Sequence, residues 1–462
     1  MPETIQAYLE AVQAQIRWKR ARPVVLRELE RHLEDQRDDL LKAGKSPEEA
    51  ERLAVEDMGD PVAVGTELDR VHRPRPQWGL LGLTFALAAL GVFLRVVFFR
   101  AANYYANSLW VLAKALASLG LGTAAMLGMY FLDVSRLVRH ARAVYAVALA
   151  AGAAALAFLP YVQDCSYYAR HVVLLYPAVY ALWLYSFRGR GWSGLALTIL
   201  GGVPLAVICG LAPTMLGLIL LLFSGLVVTL YAARRDWFGV GRRRGLAAVL
   251  AVPALVLAWL LYKGYLASFF GRLQIALHYE LDPLNRGFMG WMLHMFWQDV
   301  PPLRHHGSFG AAVSAGARIR VYANDTNLLG DHLPIDYSQD LLPAVMAIEW
   351  GWVPLLVLLG ALAVLLVWLL VKGLRQSYLP GRFVVLAVAI TLGLLTLFGA
   401  ALNFGFVFFS ASLPLVVGNL QTVVVMALIG LALSVFRRDS IARDEPVVPL
   451  RRRKLRIRVE VQ

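Results

Sequence analysis

Three carboxylates crowd the stretch HLPIDYSQDLLPAVMAIEW, residues 332–350: Asp336, Asp340 and Glu349. Asp336 and Asp340 stand four residues apart, so on a helix that begins early they share one side of its first turn. Glu349 follows Asp340 by nine residues, roughly 13 Å further along at about 1.5 Å per residue. Acids at a helix N-terminus have a plain structural use: Asp336 can cap, and Asp340 can complement the positive end of the dipole. A carboxylate in a poorly hydrated cleft can instead take a proton from a hydroxyl. Glu349 sits inside an apolar run, where a charge is costly and generally faces a bundle interior or a wet cavity. On the residues alone both readings stand.

The cations offer a matching set. Arg95 and Lys114 fall near the outer halves of the first two hydrophobic spans, where long basic side chains snorkel or hold an anion. Arg170, Arg272 and Arg286 flank the same outer region and are candidates for holding a phosphate. Metal chemistry has little to work with. His305 and His306 are adjacent and lack a Cys or carboxylate cluster at useful spacing, which fits a solvated loop pair. Cys165 and Cys209 make neither a disulfide framework nor a zinc pattern; buried thiols are the simple reading, a single bridge the alternative. No P-loop, dinucleotide glycine fingerprint or nucleophile elbow occurs, so a kinase, hydrolase or nucleotide-driven transporter is unsupported.

These residues must be positioned by membrane helices. Of 462 residues 59% are hydrophobic and 16% charged, with a mean hydropathy of +0.59, far more apolar than a soluble chain. Each crossing needs roughly 20 apolar residues, and ten such runs are expected: about 78–99, 108–132, 142–160, 171–187, 194–211, 213–232, 244–264, 341–371, 381–402 and 413–436. The net charge of +14 is spread over the connections DVSRLVRHAR, RGR, RRDWFGVGRRR and KGLRQSYLPGR, which alternate with loops poor in Lys and Arg. That alternation places both termini in the cytoplasm of a multi-pass membrane protein. It also argues against nucleic-acid binding, because the arginines are not gathered on one folded domain. The basic tail, 439–462, suits anionic lipid headgroups.

Residues 1–76 are too polar for a signal peptide and read as a cytosolic helical module. Helices are expected at about 3–22 and 24–42, with Leu26, Leu29, Leu33 and Leu40–Leu41 near one face of the second. Ser46, Pro47 and Glu49 form a capping box for a third, and Asp60-Pro61 starts a fourth after Gly59. The module resembles the HAAS-type prefix domains of some bacterial membrane and sensor proteins, down to its GDP at 59–61. One connection, 265–340, is too long and aromatic for a linker. Within it LNRGFMGWMLHMFW (284–297) reads as an interfacial or re-entrant helix with Trp291 and Trp297 at headgroup level.

Layout and residues over 77–438 together resemble the SEDS family, the shape, elongation, division and sporulation proteins of the RodA and FtsW type. LDVSRL (132–137) is similar to the motif after the family's second span, and RLQIALHYELDPLNRGF (272–288) to its Arg…Asp-Pro…Gly-Tyr segment. LPIDYSQDLLPAVMAIEWGW (333–352) is similar to its Leu-Pro-Glu-x-His-Thr-Asp-Phe…Glu-Glu-x-Gly, and LPLVVGNLQTVVVMALIGLALSVFRR (413–438) to its last span. The resemblance implies a peptidoglycan glycosyltransferase that polymerises undecaprenyl-linked lipid II beside a class B penicillin-binding protein. Asp340 takes the catalytic position as general base, and Glu349 matches the second Glu of the pair. Arg170, Arg272, Arg286, Glu349, Asp336 and Lys114 form the expected substrate-binding set. No cofactor is implied with certainty, and a divalent cation is left open. The sequence departs from the family where its Gln-Pro-Ser-Glu-x-x-Lys helix becomes YPAVYAL (176–182) and its Gln-Pro-Asp-Leu-Gly-Thr becomes APTMLGL (212–218). The expected fold is an all-α polytopic bundle with a helical prefix. A catalytically silent regulator of wall synthesis and a lipid-linked precursor transporter are the rival functions.

Overall fold

Capping chemistry sets the helix boundaries of the N-terminal module in the computed structural model, which describes most of residues 4–437. Outside the described residues lie chiefly 1–3, 73–75, 102–107, 161–165, 283–289, 303–339 and 438–462. Four helices make up the module: α1 (Ile5–Gln15), α2 (Arg22–Lys42), α3 (Pro47–Met58) and α4 (Pro61–His72). Ser46 Oγ accepts the Glu49 N–H at 3.2 Å, and the Asp60 carboxylate accepts from Val62 and Ala63. The Glu49 carboxylate turns to Lys45 Nζ at 2.8 Å, and that hydrogen bond holds its carboxyl below the usual range. The first helix is shorter than expected: it stops at Gln15, and Ile16 is extended and buried. Its ends are held by acids of the later helices, Glu51 accepting from the Ile5 N–H and Asp69 from the Arg17 N–H.

A small apolar core holds the module, with Tyr8, Val12, Ile16 and Leu33 fully enclosed and Val25, Leu29 and Val55 beside them. Leu33→Ala removes a side chain with no exposed surface, and the expected cost is about 2–5 kcal/mol. Limited proteolysis of the full chain should then cut within residues 4–72 while the membrane bundle stays intact. An unchanged cleavage pattern would contradict this core.

The second compact unit begins at Trp78. Its helices are α5 (Trp78–Ala101), α6 (Ser108–Phe131), α7 (Val134–Arg139), α8 (Ala141–Phe158), α9 (Ala169–Val172), α10 (Tyr176–Tyr185), α11 (Gly191–Leu200), α12 (Gly202–Leu211), α13 (Met215–Arg234), α14 (Arg242–Tyr262) and α15 (Tyr265–Leu277). Four more follow: α16 (Leu342–Trp350), α17 (Trp352–Leu374), α18 (Leu379–Asn403) and α19 (Leu420–Phe436). The fold is all-helical. Among the described residues seven stretches are long and apolar enough to cross a membrane: 78–97, 112–131, 141–158, 191–211, 215–234, 352–374 and 379–403. The chain is a membrane protein.

The other three expected crossings take other forms. Residues 169–185 are a short helix, a 3-10 turn and α10, with Pro177 at the start of α10. α14 is continuous over 21 residues with Pro253 inside it, and α19 has 17 residues. The expected single span 341–371 is two helices. Gly351 has φ 95° and ends α16 where α17 begins, a backbone state that side-chain-bearing residues rarely adopt. Glu349 therefore belongs to a short helix before the crossing, not to the crossing itself.

Helix α18 is the most buried of the seven stretches and packs against α10, α13 and α17. Several polar groups between the helices are paired internally, which hydrocarbon surroundings favour, while the buried Tyr176 and Ser224 hydroxyls are left without a hydrogen-bond partner. Tyr180 OH lies 3.0 Å from Thr229 Oγ1, Tyr145 OH donates to the Gly201 carbonyl at 2.7 Å, and Trp183 Nε1 donates to the Leu197 carbonyl at 3.0 Å. Trp297, expected at headgroup level, is half-buried against protein: it stacks on Phe404 and donates Nε1 to the Asn403 carbonyl at 3.0 Å.

Candidate functional site

The first turn of α16 needs acceptors for its N–H groups, and the N-cap residue Leu341 has none in its side chain. Asn403, at the end of α18, supplies one. Its Oδ1 accepts the Ala344 N–H at 2.9 Å, while its Nδ2 donates to the Asp340 carbonyl at 3.0 Å and the Gly399 carbonyl at 2.7 Å. An uncharged amide from another helix thus does the capping that the sequence offered to the acids. The Asp340 side chain is directed elsewhere: Ser412 Oγ donates to its Oδ1.

Ser412 is itself anchored. Its carbonyl accepts Gln421 Nε2 at 3.0 Å, and Asn419 Oδ1 accepts the Gln421 N–H at 2.9 Å. Among the described residues the segment between α18 and α19 turns through three of positive φ, Gly405 (91°), Leu415 (69°) and Gly418 (60°); such a state at a leucine is strained. Helix α5 backs this segment. Gly91 is needed there because a Cβ would stand 2.5 Å from the Val416 carbonyl. One turn on, Arg95 is 5% exposed and donates Nη1 to the Gly418 carbonyl at 2.5 Å. Buried in this way, Arg95 does not snorkel; by that bond it buttresses the loop carrying Ser412.

Asp340, only 5% exposed, lines a cavity of about 230 Å³ with Ser412 and Gln421. Residues 166–174 contribute Ser166, Arg170 and His171, and Thr214 comes from the start of α13. Ser166 is buried and its hydroxyl has no hydrogen-bond partner, so the cavity wall retains an unmet polar group. A buried carboxylate and a guanidinium sharing one small cavity can move a proton and stabilise a developing negative charge.

Of the expected site residues, the structure brings Asp340 and Arg170 together. Lys114 is exposed on α6 and is not among the cavity residues. Glu349 lies in α16 and Arg272 in α15, with both side chains outside the described residues. Asp336, Arg286, Trp291 and the pair His305–His306 also lie outside them, as does Cys165, while Cys209 is a buried free thiol. Among the described residues no group of three His, Cys, Asp or Glu side chains is arranged to hold a metal ion.

Several site residues had escaped sequence reasoning. Ser412 precedes the Leu413-Pro414 that opens the last-span match, so position offered a signal that its residue type did not. Asn403, Gln421, Ser166 and His171 offered none, since an isolated polar residue beside apolar helices reads equally well as loop or cap.

The polar cavity belongs to an all-helical membrane fold, and its acid, Asp340, stands immediately before the broken pair α16–α17. Two solved structures share that fold. One is a chain of a peptidoglycan synthase complex that coordinates polymerization and crosslinking, with TM-score 0.58 and 21% identity over 79% of this chain and 98% of that one. The other is the rod shape determining protein RodA of Thermus thermophilus, with TM-score 0.50 and 20% identity over 78% of this chain and 97% of RodA. Identities this low carry the fold and leave the activity to the site. No protein-family model matches the chain, and no curated protein matches its sequence.

Proposed function

We propose that the chain is a membrane-embedded glycosyltransferase that polymerises an undecaprenyl-linked cell-wall precursor, lipid II, with Asp340 as general base. The observation that carries this reading is the near-complete burial of Asp340 in a cavity it shares with Arg170. Glycan extension requires a sugar hydroxyl to attack the anomeric carbon of a sugar bearing a lipid pyrophosphate. The new bond forms between that oxygen and the anomeric carbon, the bond to the pyrophosphate oxygen breaks, and the hydroxyl proton passes to the Asp340 carboxylate. Charge accumulates on the departing pyrophosphate, where Arg170 offsets it. The fold shared with a synthase that couples polymerization to crosslinking supports a class B penicillin-binding protein as partner.

In this reading Ser412 and Asn403 are positioning residues. Ser412 fixes the carboxylate and Asn403 fixes the backbone that carries it. Ser412→Ala is expected to lower kcat roughly 10- to 100-fold with KM little changed, because a misplaced reacting group costs up to about 100-fold. Ser412→Thr, which keeps the hydroxyl, should recover most of the rate; equal loss in both variants would show that the hydroxyl does not position Asp340.

The function is tested by incubating the purified chain with labelled lipid II, alone and with a class B penicillin-binding protein, and following undecaprenyl pyrophosphate by chromatography. Its release supports the reading. Intact lipid II with a folded, assembled pair would favour a non-enzymatic regulator. That rival draws on α10, where the buried Val179 and Leu182 stand in place of the resembled family's Glu and Lys.

A further inference from the structure

The basic connections that separate the hydrophobic spans in sequence are joined at one end of the bundle. Gly189 and Gly191 donate their N–H groups to the Trp237 and Phe238 carbonyls at 2.9 and 2.7 Å, tying the 186–191 turn to the 235–241 turn. Arg382, near the start of α18, donates Nη1 to Tyr231 OH at 2.7 Å. Phe383 meets Trp237 edge-on at 5.1 Å and Tyr231 at 6.1 Å.

Guanidinium groups lie over these rings. Arg188 is 4.6 Å from the Trp237 centroid, and Arg235 is 5.7 Å from that of Tyr231. Arg190 and Arg142 share the Phe187 ring at 5.5 and 5.9 Å. A ring fixes a guanidinium without consuming its N–H donors, which remain set in a planar fork suited to phosphate. Arg142, Arg190 and Arg235 are exposed. Acids are few in the connections that carry these arginines: 132–142, 186–191, 231–244 and 372–383 contain two, Asp133 and Asp236, and Asp236 Oδ1 accepts the Gly241 N–H at 2.8 Å to close its own turn. Arg142 and Arg190 thus bring two positive charges to one ring, and an anion is the ligand such a pair attracts.

We propose that this end of the bundle binds the phosphate of an anionic phospholipid, gripped by guanidiniums that Phe187 and Tyr231 hold in place. The site is separate from the Asp340 cavity and does not depend on the reaction assigned there.

Binding of phosphatidylglycerol and of phosphatidylcholine to the full chain in detergent would be compared by lipid-dependent thermal stabilisation. Phosphatidylglycerol should stabilise the protein and phosphatidylcholine should not. Arg142→Gln with Arg190→Gln should weaken phosphatidylglycerol roughly 30-fold, about fivefold for each arginine at a membrane surface. The corresponding double lysine variant keeps the charge and loses the fork, so it should weaken binding by less. Lys263→Gln, at the opposite end of α14 from Arg242, should leave binding unchanged. Equal stabilisation by both lipids, or full affinity in the folded double glutamine variant, would overturn the proposal. Saturation of the site by inorganic pyrophosphate with no lipid present would assign it to a soluble ligand and overturn the lipid assignment.

Discussion

Asp340→Asn is expected to lower the rate of lipid II polymerisation roughly 100- to 10,000-fold, the range associated with losing a general base. The variant keeps the shape of the site. An asparagine Oδ1 still accepts the Ser412 hydroxyl, and the main-chain carbonyl still accepts Asn403 Nδ2. What disappears is the capacity to take a proton from the attacking hydroxyl. Initial rates at saturating lipid II isolate that step, and a thermal unfolding midpoint close to wild type excludes a folding defect. A rate within a few-fold of wild type would remove Asp340 from the chemistry and leave it as a buried structural acid.

Arg170→Gln is expected to cost roughly 100- to 1,000-fold in kcat, comparable to removing one charge-stabilising donor from an enclosed site. The arginine follows Ser166 by one turn of backbone, with its N–H bonded to the Ser166 carbonyl at 3.3 Å, and both residues reach the cavity. The fixed positive charge matters most when the pyrophosphate departs, so the loss should fall more on kcat than on KM. Arg170→Lys keeps the charge without the fork and should fall between the wild type and Arg170→Gln. Equal turnover in all three proteins would mean that another group receives the leaving charge.

Much of this was legible in the sequence because the signals are local. Ser46-Pro47 and Asp60-Pro61 announced two helix starts through capping alone, and uninterrupted apolar runs announced the spans. Asp340 was legible as a candidate through its flanking residues. What remained hidden depends on contacts far apart in the chain. Asn403 caps a helix 59 residues upstream, and Ser412 reaches Asp340 across 72; no spacing rule links such positions. The break at Gly351 was also missed, since hydropathy runs smoothly through Trp350-Gly351-Trp352 and only the backbone angle reveals it. Arg95 shows the same limit in reverse: a basic residue in a span reads as a ligand or a snorkel, while here it holds the Gly418 carbonyl 323 residues away.

Glycan synthesis by this chain, as proposed, runs through the Asp340 carboxylate. Its most direct test is a gel of glycan products from labelled lipid II, run side by side for wild type and Asp340→Asn, each with the same class B penicillin-binding protein. Lipid II binding would be measured in parallel. A polymer ladder is expected from the wild type and none from the variant, with binding retained in both. Ladders of equal intensity would contradict the role of Asp340, and the absence of polymer from a folded, lipid II-binding wild type would contradict the enzyme.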